Sequence, residues 1–214
     1  MKTRKFPIIF LFTLLNFTAF SQRTTEVGVT GGGIRFYPEV QHGGSNSYCS
    51  MDNGWGWSAG IFAEDHWKPK IHQVVEVNYY HLSSDVHLQK DPDGFWSPYN
   101  GNDGRKPVYG NFSNNSFSQI SVTGGIKYFL TRNLFVFPGF EFARALNQDI
   151  DINKTSYNIK AGAGISISRI DIVLEYAYGM KYQRMVYDPS VPFVSTHRNK
   201  YLQLKVQVPF YQFR

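Results

Sequence analysis

Cysteine is almost missing: Cys49 is the only one in 214 residues, so no disulfide can form within the chain and thiolate metal clusters are excluded. Long apolar runs are missing as well. The longest covers residues 7–19, too short for the roughly 20 residues a spanning helix needs. Nothing after it shows sustained helical periodicity. A strong charge of either sign is also lacking. Twenty-two basic and 16 acidic residues give +6, and Lys2, Arg4 and Lys5 lie in the leader, so +3 remains once it is removed. That excess is too small for a nucleic-acid surface, and no nucleic-acid partner is expected.

What is present begins with that leader. Lys2, Arg4 and Lys5 precede an apolar core (Ile8, Ile9, Phe10, Leu11, Phe12, Leu14, Leu15), and small residues follow at Ala19 and Ser21. This is the layout of a cleaved secretory signal over residues 1–21, with residues 22–214 as one mature domain. Aromatics reach 17%, with 14 Tyr and 18 Phe beside 19 Gly, a composition that suits strands crossing an interface.

Alternation with period two recurs along the mature part. Over residues 119–130, Ile120, Val122, Ile126, Tyr128 and Leu130 oppose Gln119, Ser121, Thr123, Gly125 and Lys127. Over 157–168, Tyr157, Ile159, Ala161, Ala163, Ile165 and Ile167 oppose Asn158, Lys160, Gly162, Gly164 and Ser166. Similar segments lie at 172–182 and 202–210, and further strands are expected near 25–37, 54–64, 71–82 and 134–146. Gly31, Gly32 and Gly33 read as a bend or bulge in the first.

The connections sort by length. Residues 67–70, 131–133 and 168–171 are short links, whereas 38–53, 83–115, 147–155 and 185–199 are longer and rich in Gly, Asn, Asp, Ser and Pro. Short turns at one end and long loops at the other are the layout of an outer-membrane barrel. The expected fold is all-β, an eight-stranded antiparallel up-and-down transmembrane β-barrel.

A soluble lipocalin-like ligand carrier would alternate too, with its apolar face inward. Three features favour the inverted arrangement. The polar face is built mostly of small residues with about one charge per strand, as a narrow lumen requires. Four strands carry an apolar face without charge long enough to cross hydrocarbon when tilted. Aromatics gather near strand ends (Trp55, Trp57, Tyr79, Tyr80, Tyr128, Phe129, Phe135, Phe137, Tyr182, Tyr201, Phe210, Tyr211), as in interfacial girdles. Outer-membrane lipid is therefore the expected surrounding.

This facing sends Glu76, Glu141, Glu175, Lys127, Lys160, Lys181 and Lys205 into the lumen. Buried charges persist when paired and hydrogen-bonded, so one internal network of all seven is expected. It could serve as a gate or an ion path; a structural plug is preferred, because eight strands enclose little beyond their own side chains.

Catalysis has one candidate. His81 and Ser83 form a His-x-Ser element resembling that of lipid A deacylases, and an orienting acid nearby (Asp85, Asp91 or Asp93) would complete an acyl-transfer group. The Asn that usually follows the Ser is absent, and a water-facing His and Ser at a strand end is the preferred reading. For metals, His66 and His72 flank a short turn while His81, Asp85 and His87 lie at the opposite rim, so only the latter three could cluster. No metal, cofactor or enzymatic activity is expected. Gly31-Gly32-Gly33 lacks the Lys-Ser/Thr and helix of a phosphate loop.

Ala19-Phe20-Ser21-Gln22, Val27-Gly28-Val29 and Thr123-Gly124-Gly125-Ile126-Lys127-Tyr128 resemble the PorT-like outer-membrane β-barrel proteins of Bacteroidetes. The resemblance implies an eight-stranded barrel assembled by the outer-membrane insertion machinery, with some relatives serving protein secretion and no catalytic residues carried over; the long loops, of which 83–115 carries Phe95, Trp96, Tyr99, Tyr109 and Phe112, suit a structural, adhesive or secretion-associated role. Such chains usually end on an outward aromatic residue. Here Arg214 is last and Pro209 interrupts the strand, so Phe210 is expected to take that role with 211–214 as a short tail. Intact mass spectrometry of the exported protein should find Gln22 at its N-terminus; a mass that retains residues 1–21 contradicts the leader.

Overall fold

The computed structural model describes residues 24–41, 47–90, 108–146, 155–188 and 191–213; for 40–41, 47–51, 86–90, 108–115, 181–188 and 191–197 the backbone alone is described. Ten strands are present among them: β1 (Thr25–Phe36), β2 (Glu39–Gln41), β3 (Ser47–Met51), β4 (Gly54–Lys68), β5 (Ile71–Lys90), β6 (Val108–Phe129), β7 (Leu134–Ala145), β8 (Thr155–Ile167), β9 (Ile170–Asp188) and β10 (Val191–Phe213). Eight of them form the wall in the order β1-β4-β5-β6-β7-β8-β9-β10, and β10 returns to pair with β1. Every pairing is antiparallel. The circle leaves no open edge in the wall, so the main chain satisfies itself there without water.

The alternation read from the sequence sets which side of the wall each residue takes. In β8, Ile159 is 51% exposed while its neighbour Lys160 is 1% exposed. The same inversion holds around the circle. Val29, Ile61, Ile120, Ile126, Leu134, Phe140, Ile165, Leu174, Leu204 and Val206 all point outward. Inside lie Thr30, Ser58, Asn78, Ser121, Thr123, Asn158, Gln203 and Gln207 with the lumenal charges. A wall with apolar residues outside and charge inside is stable against hydrocarbon, where exposing Ile and Leu costs nothing and exposing Lys is expensive. A soluble carrier would show the opposite arrangement.

Two-residue turns close two hairpins, at Pro69–Lys70 and Ser168–Arg169, while 130–133 bend between β6 and β7. Ser168 takes φ 61°, the left-handed conformation that tight hairpin turns need.

Several expectations are corrected. Residues 83–115 and 185–199 are not simply loops: β5 and β6 stay paired out to Lys90↔Val108, and β9 and β10 out to Val191↔Asp188. Residues 38–53 hold β2 and β3, which pair with β10 and β5. These extensions stand beyond the length needed to cross a bilayer, so no face of them meets hydrocarbon and none carries an alternating signal. Phe95, Trp96 and Tyr99 lie outside the described residues.

Tyr80, Phe135, Phe137 and Tyr201 do not belong to a girdle; their parity turns them into the lumen, where all four are buried. Trp55, Trp57, Tyr128 and Tyr211 do face outward. The tail expected at 211–214 is strand as far as Phe213, because a bulge at Phe210 restores pairing: Gly28 faces Pro209 and Val27 faces Tyr211. A bulge is one of the few strand sites that tolerates proline.

No bulge occurs at Gly31–Gly33, where the register with both neighbours is unbroken. Gly32 instead serves close approach. A Cβ there would lie 2.1 Å from the Leu204 carbonyl oxygen, whereas one on Gly33 would meet nothing within 4 Å. Gly32→Ala should therefore destabilise the detergent-folded barrel by about 1–3 kcal/mol in urea unfolding, and Gly33→Ala should leave the midpoint nearly unchanged.

Candidate functional site

The lumen is filled in layers. At the long-connection end, Ile34, Phe36, Tyr80, Leu82, Phe117, Ala145, Ala177 and Tyr201 form one apolar cluster. Toward the short turns, Val74, Phe135, Phe137 and Val173 form a second, with Phe129 against it. Between them runs a chain of alternating charge. Glu76 meets Lys205 Nζ at 2.5 Å, Lys205 meets Glu175 at 2.5 Å, Glu175 meets Lys160 Nζ at 2.8 Å, and Lys160 meets Glu141 at 3.4 Å. Its members come from β5, β10, β9, β8 and β7, and each is at most 1% exposed.

Hydrogen bonds complete the carboxylates at the two ends. Glu141 accepts from Tyr80 Oη and Tyr201 Oη, each at 2.8 Å, from Asn158 Nδ2 at 2.6 Å and from Thr123 Oγ1 at 3.3 Å. Glu76 accepts from Asn78 Nδ2 at 3.0 Å and Gln207 Nε2 at 2.8 Å. Buried polar side chains are retained where such partners exist, and the inward tyrosines are explained by this service to Glu141. Lys205 and Lys160 also lie over the rings of Phe137 and Tyr201, at 5.2 and 5.8 Å from the centroids.

Six of the seven expected lumenal residues are thus placed inside, but not as one network. Lys127 leaves the group: its ammonium binds Glu64, and Asp171 at 2.6 Å, near the short-turn end. The side chain of Lys181 lies outside the described residues. Glu64 and Asp171 fall at a strand end and in a turn in the sequence reading, which gives them no side of the wall. Their parity with Ser58 and Phe62, and with Val173 and Glu175, was the available signal.

The second group holds a further surprise. His72 Nδ1 lies 2.6 Å from Glu64 Oε1, and the His66 and His72 rings stack with centroids 4.1 Å apart. The expectation that only His81, Asp85 and His87 could cluster is therefore corrected. His66 and His72 come together because they stand at the next step of the β4–β5 register that pairs Glu64 with Val74 and Asp65 with Gln73; the ladder slips by one residue only beyond them, before Lys68↔Ile71.

His81 and Ser83 lie on the outward parity of β5. The His81 ring packs near Trp57 at 5.9 Å, and its Nδ1 is 3.3 Å from Ser118 Oγ, which also accepts from Tyr79 Oη at 2.7 Å. The hydroxyl beside this imidazole is that of Ser118 rather than Ser83. Asp85 is exposed, and Asp91 and Asp93 lie outside the described residues.

The central chain carries a clear energetic expectation. Glu175 alone contacts both Lys160 and Lys205, so Glu175→Ala leaves two ammonium groups desolvated without it. Unfolding in urea should show a loss of about 3–5 kcal/mol, whereas Glu39→Ala, which breaks a half-exposed pair with Lys200, should cost about 0–1 kcal/mol. Equal effects would contradict the layered reading.

No family model matches the chain, and no curated protein matches its sequence. Solved structures with a similar fold include the attachment invasion locus protein Ail of Yersinia pestis, 12% identical, with a TM-score of 0.44 over 88% of this chain and 99% of that one. They also include the outer-membrane protein OprG of Pseudomonas aeruginosa (9%, 0.45, 90% and 95%) and Neisserial surface protein A (15%, 0.40, 87% and 99%).

Proposed function

We propose that this chain is an integral barrel of a bacterial outer membrane, non-enzymatic and closed to ions, that acts through the structure projecting from its long-connection end. The observation that supports the membrane assignment is the apolar outer belt around a closed wall that turns Glu76, Lys127, Glu141, Lys160, Glu175 and Lys205 inward. Among the described residues, lipid of the outer membrane is the partner this surface fits, and the insertion machinery is the partner its assembly requires. Short turns then face the periplasm and long connections face outside.

The described lumen argues for a plug rather than a path. Two apolar layers sandwich the central charge chain, which gives an ion or proton no continuous polar route. The outer end is better suited to contact. β3 adds to β5 beside β6, and β2 adds to β10 beside β9, so two three-stranded sheets rise above the wall. From Ser83 to Lys90 the β5 extension is about 25 Å long at a strand rise of about 3.3 Å per residue. Rigid ribbons of that reach suit an adhesive or secretion-associated role. Kinship with PorT-like barrels belongs to the same reading and rests on the short segments quoted above.

Boiled and unboiled samples of the detergent-folded protein should migrate differently on a gel, and planar bilayers containing it should show no conductance steps. Recovery as a soluble protein without detergent would overturn the membrane assignment. Sustained single-channel current would overturn the closed lumen.

A further inference from the structure

The geometry points to a zinc site at the short-turn mouth of the barrel, formed by Glu64, His66 and His72 with Glu26 as a fourth ligand. Four observations converge on it. The candidate ligand atoms of Glu64, His66 and His72 all lie within 4.8 Å of one another. His66 Nε2 is 3.8 Å from Glu64 Oε1 and 3.8 Å from Glu26 Oε2. Donors around a tetrahedral ion with bonds of about 2.0–2.1 Å sit roughly 3.4 Å apart, so these gaps close with small side-chain rotations.

The carboxylate is oriented for the task. Glu64 Oε2 is held by Lys127, which also binds Asp171 at 2.6 Å, and this leaves Oε1 turned toward both imidazoles. A hydrogen-bonded carboxylate behind a metal ligand is the usual outer-shell arrangement. Carboxylates are gathered here: Glu64 and Asp171 bind Lys127, and Glu26 and Glu64 both flank His66. The site is also reachable: the side chains of His66 and Glu26 are 30% and 21% exposed, whereas Glu64 is 6% exposed.

The backbone explains how two histidines six residues apart in sequence came to face each other. His66 and His72 stand at the next step of the β4–β5 register that pairs Glu64 with Val74 and Asp65 with Gln73, and the His66 N–H is satisfied by the Thr24 carbonyl at 3.0 Å, just ahead of β1. The one-residue bulge falls between this step and the turn, where the ladder resumes at Lys68↔Ile71. Two imidazoles and carboxylate oxygen match Zn2+, whereas Ca2+ and Mg2+ prefer oxygen alone. A bound ion would strap β1, β4 and β5 together at the periplasmic rim, taking the place of the His72 Nδ1–Glu64 Oε1 contact.

The test uses the tag-free, detergent-folded full barrel, stripped of metal and titrated with Zn2+ by calorimetry and with Co2+ by visible absorption. One ion per chain is expected, with the absorption bands of tetrahedral Co2+ and no competition from Mg2+. His66→Ala, His72→Ala and Glu64→Gln should each weaken binding at least tenfold, and His81→Ala should bind as the wild type does. The heat-dependent gel shift identifies any variant that fails to fold, and His66→Ala, at the exposed rim, should retain it. A wild-type barrel that takes up no stoichiometric Zn2+ overturns the site, as does a folded His66→Ala barrel that binds as tightly as the parent. Either result would leave the histidines as a stacked packing pair.

Discussion

Three carboxylates and two ammonium groups are buried at the centre of this molecule, and each depends on the others for its charge to be tolerable. An isolated ion in such a place would cost several kcal/mol. Linked as Glu76, Lys205, Glu175, Lys160 and Glu141, they replace water with one another. The tyrosine, asparagine and glutamine side chains that point at Glu76 and Glu141 complete what the lysines leave open. The sizes of the surrounding residues follow from this. Where the wall must bring long Lys and Glu side chains into a narrow cylinder, its inward positions carry Gly, Ser and Thr, and the remaining space is capped above and below by Phe, Val and Leu.

The outer surface answers a different demand. Lipid supplies no hydrogen bonds, so the wall has to close on itself, and the seam between β1 and β10 is where closure is hardest to achieve. Gly32 permits the two backbones to approach, and the bulge at Phe210 absorbs a proline that would otherwise break the ladder.

How far the sequence alone reaches depends on whether a residue meets lipid on one side and lumen on the other. Where it does, as in β8 and the inner part of β9, parity alone assigns each side chain, and the inward placement of Lys160 and Glu175 is read directly. Where both sides meet the same medium, the pattern vanishes; the outer parts of β5, β6, β9 and β10 therefore look like loops. Aromatic residues mislead for a related reason. Phe135 and Phe137 look like interfacial anchors near a strand end, but their parity makes them lumen filling. Pairing partners were beyond reach, because Lys205 meets Glu76 across the lumen rather than along the wall. The His66–His72 contact follows from the register between β4 and β5, which alternation within a single strand does not supply.

Lys205 has a consequence for the first and last strands. It stands on β10 yet binds Glu76 on β5, reaching past β1 and β4, and Gln203 on β10 likewise bonds Ser58 on β4 at 2.7 Å. The joint between the chain's two ends is thus latched from within. Parting those strands sideways into the bilayer would strip a desolvated ion pair as well as a ladder of main-chain bonds, so the interior opposes a lateral opening there. The latch also forms only when the cylinder is complete, which makes the final step of assembly the one that is hardest to reverse.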